Sequence, residues 1–273
     1  MKSGTAVLSI LVWGMSMTYA QASAYNAPMH SSSSSSGNST STGVTVATSQ
    51  DLKFSGDTCP FYPASYPKGT TYKVVTKIEE SGGREYTEEN DSEVLGPTTF
   101  RGQKAIAIRE NIELAYPSHK NVSIIDHFYG VGAQFVYLYG ARVRSGGETY
   151  NDPPISLPRC FVMNTPYTET DTMHTLATDG VEDRVTSQTT RVLLGIESVT
   201  VPAGTFQAYK VGSETSLGSN GMKTGRTYSW VVASGRFAGF VIKNTFVRPA
   251  SAQGSSTAFH MTRTALSVQL NGK

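Results

Sequence analysis

Apolar and polar residues alternate with a period of two along most of this chain, beginning near residue 70. Such alternation places every second side chain on one face of a β-strand, and no window of about 11 residues or more follows the period of an amphipathic helix. On the first predicted strand, Tyr72, Val74, Thr76 and Ile78 share a face. The pattern therefore predicts an all-β domain of antiparallel strands.

The clearest hairpin spans residues 193–211, with a turn at residues 201–205. Pro202 presets φ for the first corner of a turn, and Gly204 accepts the positive φ that other residues resist. β-Branched and aromatic residues flank the turn on both sides, which is typical of paired strands. We interpret this corner as structural.

A shorter version of the same pattern lies at residues 94–108, with Gly102 in its turn. Residues 127–132 and 230–235 also match, because each has aromatic strand residues followed by a glycine-containing turn. Three prolines at 153, 154 and 158 interrupt the alternation between these copies. The repeat predicts a duplication, with a first half at 57–152 and a second half at 153–273 that share one core.

Long antiparallel meanders curl because their strands twist. We therefore expect a duplicated antiparallel meander that forms a curled sheet, a half-barrel or two packed sheets. The last strand, at residues 258–270, is predicted to place one alternating set on one face. That set is Thr262, Thr264, Leu266, Val268 and Leu270.

The N-terminus has the composition of a secretory leader. Lys2 provides a positive charge, residues 6–17 an apolar run, and Ala20-Gln21-Ala22 a small-x-small cleavage site. No Cys follows this site directly, so residues 1–22 predict a periplasmic or secreted protein without a lipid anchor. Residues 23–56 are rich in Ser and Thr and predict a disordered tether. No later stretch is apolar enough to predict a membrane-spanning helix in the mature chain.

Charge gives little indication of a partner, because 23 Lys and Arg residues balance 21 Asp and Glu residues. Nucleic-acid binders usually carry a basic excess, so nucleic acid is not expected as a partner. Two local groupings are interpreted as solvated surface. The acidic group is Glu79, Glu80, Glu85, Glu88, Glu89, Asp91 and Glu93, and the basic group is Arg226, Arg236, Lys243, Arg248 and Arg263.

The chain has two cysteines, Cys59 and Cys160, each just before the first strand of its half. A pair of cysteines in an exported chain predicts a disulfide. Closing a loop of this length would stabilise the fold by about 4 to 5 kcal/mol in the chain-entropy model. A zinc site would need two further ligands, and none lies near in sequence, so no metal is expected.

No catalytic or cofactor-binding motif occurs in the sequence, and neither an enzyme nor a cofactor is expected. Asp126 and His127 are adjacent, but neighbouring side chains of a strand point to opposite faces and cannot form a dyad. His127 is interpreted as a structural histidine with its hydrogen bonds satisfied.

The corner at residues 201–206, followed by Trp230 and the strand at residues 235–243, resembles a family of uncharacterised exported bacterial β-proteins. The pattern of that family is a Val-Pro-Ala-Gly-Thr-Phe corner, then an aromatic strand with Trp and a glycine turn. The resemblance covers residues 184–247, and the first half departs from it. It implies a curled antiparallel sheet like the lipoprotein-carrier half-barrels of the periplasm, with no established common activity.

Two functions are compatible with this pattern, and a third cannot be recognised from motifs. The first is a binding or carrier module, in which Tyr137, Trp230 and Phe240 line a concave face that holds a lipid or another apolar or amphipathic molecule. The second is a structural or protein-interaction domain of the cell envelope, whose interior is filled. The third is a hydrolase whose polar groups converge from separate strands.

Overall fold

The structure is a computed structural model that describes residues 11–12, 15–16, 67–218, 222–248 and 258–271. Two short strands, β1 (Leu11–Val12) and β2 (Met15–Ser16), pair with each other within the predicted leader. The other strands form one antiparallel sheet. They are β3 (Thr71–Glu80), β4 (Arg84–Phe100), β5 (Gln103–Ala115), β6 (Lys120–Val131), β7 (Phe135–Val143), β8 (Glu148–Pro158), β9 (Tyr167–Leu176), β10 (Glu182–Val201), β11 (Gly204–Leu217), β12 (Met222–Val232), β13 (Val241–Arg248) and β14 (Phe259–Asn271).

This sheet closes into a barrel of 12 strands, β3 to β14 in chain order. Each strand pairs with the next, and β14 pairs with β3 to close the ring, from Met261 opposite Glu80 to Asn271 opposite Thr71. The expected all-β antiparallel meander is confirmed. The expectation of a half-barrel, an open curled sheet or two packed sheets is wrong, because closure pairs the two edge strands.

β-Bulges help the sheet to curve. One residue is inserted between Val94 and Gly96 on β4 and another between Leu193 and Gly195 on β10. A bulge bends its strand and increases the local twist. Another bulge lies between Ala265 and Ser267 on the closing strand β14.

The β10–β11 corner reaches across one end of the barrel. Val201 pairs with Gly204, which has φ of +137°, and the Ala203 N–H donates to the Ala265 carbonyl of β14 at 3.2 Å. Three strands separate β10 from β14 in the barrel order. The corner therefore carries Val199 and Val201 into the largest apolar cluster of the protein.

The β4–β5 corner packs differently from the β10–β11 corner, with which the sequence pattern matches it. Its two turn residues, Arg101 and Gly102, have φ of +46° and +79°. Phe100 stacks on Phe128 of β6 with 4.2 Å between ring centroids, and the Arg101 guanidinium lies 3.7 Å from the centroid of the Tyr150 ring. This corner therefore lies against the neighbouring wall of β6 to β8.

The predicted boundary between halves falls inside β8. Residues Glu148 to Tyr150 pair with both β7 and β9, Asn151 and Asp152 pair only with β9, and residues 155–158 pair only with β7. Prolines lack the N–H that a ladder needs, so they lie where β8 has no partner on one side. Opposite Phe128/Tyr129 on β6 and Trp230/Val231 on β12, the partner strands each carry one extra residue, Tyr139 on β7 and Ile242 on β13, so both segments matched in the sequence pair with a bulged strand. The duplication stays a prediction, as do the leader and the tether, which lie almost wholly outside the described residues.

Candidate functional site

Polar side chains occupy the buried face of several strands of the barrel. Five of them form what we call the central polar cluster: Glu88 and Asn90 on β4, Glu110 on β5, His127 on β6 and Arg263 on β14. The exposed fraction of each is 8% or less, and Glu110 and His127 have no exposed surface at all. Buried polar and charged groups are costly unless they are paired, so this cluster is the first candidate for a site.

Strand alternation explains why Glu88 lies in the interior. On β4, Glu88, Asn90, Ser92 and Val94 share the buried face, while Asp91 and other odd-numbered residues face outward. The interpretation of the acidic hairpin as wholly solvated is therefore wrong for Glu88. Its position follows from the period of two that places Val94 in the core.

Arg263 is likewise buried rather than part of a basic rim. It lies between Met261 and Ala265 on the inward face of β14. The bulge between Ala265 and Ser267 then changes the phase of the strand. The prediction that Thr262, Thr264, Leu266, Val268 and Leu270 share one face is therefore wrong.

Within the central polar cluster, the two acids have different partners. The Arg263 guanidinium donates to Glu88, and the Asn90 amide donates to Glu110 at 3.3 Å. The Ser92 hydroxyl donates to the Asn90 carbonyl oxygen at 2.7 Å, which fixes the amide orientation. Burial raises the pKa of Glu88, the Glu110 charge raises that pKa further, and Arg263 opposes both. The two carboxylates thus act on each other electrostatically.

His127 and Tyr129 complete the inward face of β6, and both lack hydrogen-bond partners among the described protein groups. The His127 Nε2 lies 3.3 Å from a Glu110 carboxylate oxygen but is not aligned for a hydrogen bond, and its Nδ1 has no partner either. The Tyr129 hydroxyl is also buried without a hydrogen-bond partner among the described residues. The interpretation of His127 as a satisfied structural histidine is therefore wrong.

The neighbouring Asp126 points away from His127, as strand geometry requires. Its carboxylate accepts two hydrogen bonds from Arg109, at 2.8 and 3.0 Å. The pair is only partly buried, and its two members belong to paired positions on β5 and β6. Asp126 and His127 do not form a dyad.

A second group, the β9–β10 polar cluster, consists of Glu169, Asp171, Ser187 and Arg191. Arg191 donates to Glu169, whose other oxygen accepts the Ser156 N–H at 2.8 Å, where β8 has left β9. The Ser187 hydroxyl donates to Asp171 at 2.8 Å. Burial raises the pKa of Asp171, and the hydrogen bond from Ser187 opposes this. Every side chain of this cluster has a partner.

A third polar network lies on the outer wall around His174. The imidazole stacks on Tyr150 with centroids 4.3 Å apart, and its Nδ1 lies 2.6 Å from Glu182. Hydrogen bonds from His174, Arg184 and Tyr150 lower the pKa of Glu182 to about 2. The Arg101 guanidinium covers the other side of Tyr150. This network ties β8, β9 and β10 to the β4–β5 corner.

The three residues predicted to line a concave face do not all come together. Trp230 and Phe240 belong to the largest apolar cluster, where Phe240 packs edge-on against Tyr72. Tyr137 packs against a different cluster, formed around Phe135 and Leu193. The Trp230 indole donates to Glu197. Tyr129 belongs to the same apolar cluster as Trp230 and Phe240. Because Tyr129 follows His127 on the inward face of β6, this apolar cluster adjoins the central polar cluster.

Cys160 lies half-buried in the connection between β8 and β9 and is not free. Cys59 lies outside the described residues, so the Cys59–Cys160 disulfide stays a prediction. In the part of the chain that the structure describes, no three His, Cys, Asp or Glu side chains are placed to hold a metal ion. Nor does any helix there have the length and apolarity to span a membrane.

No protein-family model matches the chain, and no curated protein matches it in sequence. Among solved structures, the chain is similar to a predicted lipoprotein from Parabacteroides distasonis, with a TM-score of 0.42, 15% identity, and coverage of 78% of this chain and 100% of the other. A predicted exported protein with a YmcC-like fold from Bacteroides fragilis gives a TM-score of 0.42 and 10% identity, covering 77% and 99%.

The hypothetical lipoprotein YmcC from Escherichia coli gives a TM-score of 0.33 and 12% identity, covering 74% of this chain and 85% of the other. All three are described as lipoproteins or exported proteins. Because every TM-score lies below 0.5, we base no functional argument on this likeness.

Proposed function

We propose that this protein is an exported, non-catalytic binding module that takes a small amphipathic molecule into the interior of its barrel. The polar end of the ligand would meet His127 and Tyr129, and its apolar part would lie against the cluster that contains Trp230 and Phe240. One observation carries the proposal: two successive inward side chains of β6, at the junction of a charged cluster and an apolar core, have no hydrogen-bond partner among the residues that the structure describes.

Unpaired polar groups are rare in protein interiors because each loses its hydrogen bonds to water on burial. A buried polar group without a partner lowers stability by about 1 to 3 kcal/mol. His127 and Tyr129 together present one hydroxyl and two ring nitrogens that are buried without a hydrogen-bond partner among the described residues. A bound molecule that satisfies them would recover this free energy as affinity.

The position of Tyr129 supports an amphipathic ligand rather than a purely polar one. Its ring packs in the largest apolar cluster, while burial of its hydroxyl, together with the Glu110 charge, raises the pKa of Tyr129 well above the usual range. The His127 ring centroid lies 6.2 Å from that of Tyr129. The two side chains thus mark a boundary between polar and apolar interior.

The test uses the full chain, exported and purified from its own envelope, and native mass spectrometry. We expect a small molecule that stays bound in the native spectrum and is released on denaturation. Tyr129→Phe should lose this molecule and remain folded. The matched control is Tyr116→Phe, which removes a hydroxyl from a half-buried ring that stacks on Tyr86 outside the interior. The control should keep the molecule.

A clean protein mass for the native chain, with no change in melting temperature on incubation with lipid extracts, would contradict the binding proposal. It would favour the second candidate, a structural or protein-interaction domain with a filled interior. The burial of Phe240, with no exposed surface, and of Trp230, at 8%, is the observation that supports this alternative.

A further inference from the structure

The wall of the barrel changes its bonding between β8 and β9. Main-chain pairing of these two strands ends at Asp152 opposite Thr172, which is the shortest run of paired residues between neighbouring strands in the described part of the barrel. Beyond it, among the described residues, 153–157 of β8 are not paired with 167–171 of β9. We call these two facing stretches the β8–β9 seam.

One side chain joins the two sides of the seam. The Ser156 N–H of β8 donates to a Glu169 carboxylate oxygen of β9 at 2.8 Å, and Arg191 donates to the other oxygen of Glu169. Pro153 and Pro154 lack a main-chain N–H, so this stretch of β8 cannot complete the ladder. A ladder repeats its hydrogen bonds along both strands, whereas a single side-chain contact breaks by itself. We therefore expect the seam to open more readily than the paired parts of the wall.

The β8 side of the seam leads to Tyr129. Ile155 pairs with Leu138 on β7, and Leu138 pairs with Tyr129 on β6. Directly opposite residues of paired strands share a face, and these three side chains belong to the largest apolar cluster or pack against it. Neighbouring strands lie about 4.8 Å apart, so this row extends about 10 Å from the seam. An apolar row thus connects the seam with the boundary between polar and apolar interior.

The end of the barrel beside the same apolar cluster is spanned by main chain. The β10–β11 corner lies across it, and the Ala203 N–H donates to the Ala265 carbonyl at 3.2 Å. The connection between β8 and β9 is fixed to β10, because the Asn164 N–H donates to the Leu193 carbonyl at 2.8 Å. A ligand that approached from this end would meet main-chain hydrogen bonds, whereas at the seam it meets one side-chain contact.

We propose that the β8–β9 seam is the entrance through which the amphipathic ligand reaches the interior of the barrel. This inference rests on the binding function proposed above and adds the route. Opening breaks the hydrogen bond from Ser156 to Glu169 and makes Ile155 accessible from outside. The ion pair of Glu169 with Arg191 stays intact on the β9 side, so the entrance opens without leaving a buried charge unpaired.

The test is a cross-link across the seam in the full chain. Continuing the register from Asp152 and Thr172 places Ser156 opposite Thr168, so the variant is Ser156→Cys with Thr168→Cys, joined by a short bis-maleimide under non-reducing conditions. The matched control is Asp152→Cys with Thr172→Cys, joined by the same reagent where the strands are already paired. Peptide mass spectrometry identifies the cysteines that the reagent has joined.

The readout is the rate at which the protein takes up N-phenyl-1-naphthylamine, an apolar probe that fluoresces in apolar surroundings, measured by stopped flow. The seam cross-link should slow uptake by at least about tenfold relative to the same variant before cross-linking, and the control cross-link should change it by less than about twofold. An unchanged rate with the seam cross-linked would overturn the entrance while the binding function stands. If the wild type takes up no probe, the binding function and the entrance both fail.

A second measurement needs no variant and applies if the double variant does not fold. In hydrogen exchange of the wild type followed by nuclear magnetic resonance, the Ser156 amide should exchange at least about tenfold faster than the amides of Thr149 and Tyr150, which are paired on both sides. Equal protection of the three amides would show that the seam does not open separately from the ladder, and it would overturn the proposal.

Discussion

The two buried polar clusters are built from the same kinds of residue but differ in how fully their hydrogen bonds are satisfied among the described residues. In the β9–β10 polar cluster, Arg191 donates to Glu169, Glu169 also accepts the Ser156 N–H, and Ser187 donates to Asp171. In the central polar cluster, Arg263 donates to Glu88, yet the neighbouring His127 and Tyr129 have no hydrogen-bond partner among the described residues.

This difference separates a structural role from a binding role. Glu169 joins β9 to the stretch of β8 that no longer pairs with β9, so its cluster replaces main-chain hydrogen bonds that the barrel lacks there. The central polar cluster spans strands that are already paired, and its unpartnered groups add no stability. Removing a paired polar group of the first cluster should therefore destabilise the fold, whereas removing the unpartnered hydroxyl of Tyr129 beside the second should stabilise it.

The largest effect is expected from Arg191→Met. Removing one member of a buried ion pair leaves the other charge without compensation, so the free energy of unfolding should fall by about 3 to 5 kcal/mol. The side chains of Arg191 and Glu169 are only 2% and 7% exposed, so water cannot replace the lost partner. Urea unfolding followed by circular dichroism measures the change.

Arg184→Met is the matched control on the same strand. Arg184 is 65% exposed and pairs with Glu182 at 3.2 Å, so its loss should change stability by less than about 1 kcal/mol. Equal losses for the two variants would show that Arg191 does not form a structural ion pair.

A smaller loss is expected from Ser187→Ala. The variant removes the hydroxyl that donates to the buried Asp171 at 2.8 Å, and an unsatisfied buried acceptor lowers stability by about 1 to 3 kcal/mol. The same urea unfolding experiment applies. A gain in stability would remove the contrast between the two clusters.

Tyr129→Phe should have the opposite sign. It also deletes one buried hydroxyl, but that hydroxyl has no partner among the described residues, so unfolding of the protein without ligand should require about 1 kcal/mol more. Thermal unfolding after removal of bound small molecules by partial denaturation and refolding measures this. A loss of stability comparable to that of Ser187→Ala would mean that Tyr129 is satisfied and is part of the fold.

Much of the fold follows from local sequence pattern, and closure of the barrel does not. The alternation at Tyr72, Val74 and Ile78 predicts the buried face of β3, and the structure buries these three side chains. The positive φ of Gly102 and Gly204 agrees with the turn chemistry. Closure depends on pairing β3 with β14, which lie at opposite ends of the described chain, and local pattern contains no information on such a contact.

The central polar cluster could be recognised only in part. Glu88 and Asn90 follow the alternation that leads to Val94, so their inward orientation was available from the sequence. The inward position of Arg263 could not be predicted, because its contact with Glu88 spans 175 positions and a bulge on β14 changes which side chains of that strand face inward. That His127 has no hydrogen-bond partner in the described part of the chain depends on the placement of every neighbouring strand, which no single-strand pattern specifies.

The smallest effect is expected in the pH dependence of stability, which reports how far the β9–β10 polar cluster shields Asp171 from water. Burial raises the pKa of Asp171 above its ordinary value of 3.8. Between that value and the raised one, the folded protein binds more protons than the unfolded chain, so stability contributed by this group falls as pH rises through the interval.

Asp171→Asn keeps an oxygen that accepts from Ser187 but does not titrate. The stability difference between wild type and Asp171→Asn, measured by urea unfolding at steps from pH 3.5 upward, should therefore shift in favour of the variant as pH rises. A difference that is independent of pH would show that Asp171 titrates as it does in the unfolded chain, and that the β9–β10 polar cluster does not exclude water from this carboxylate.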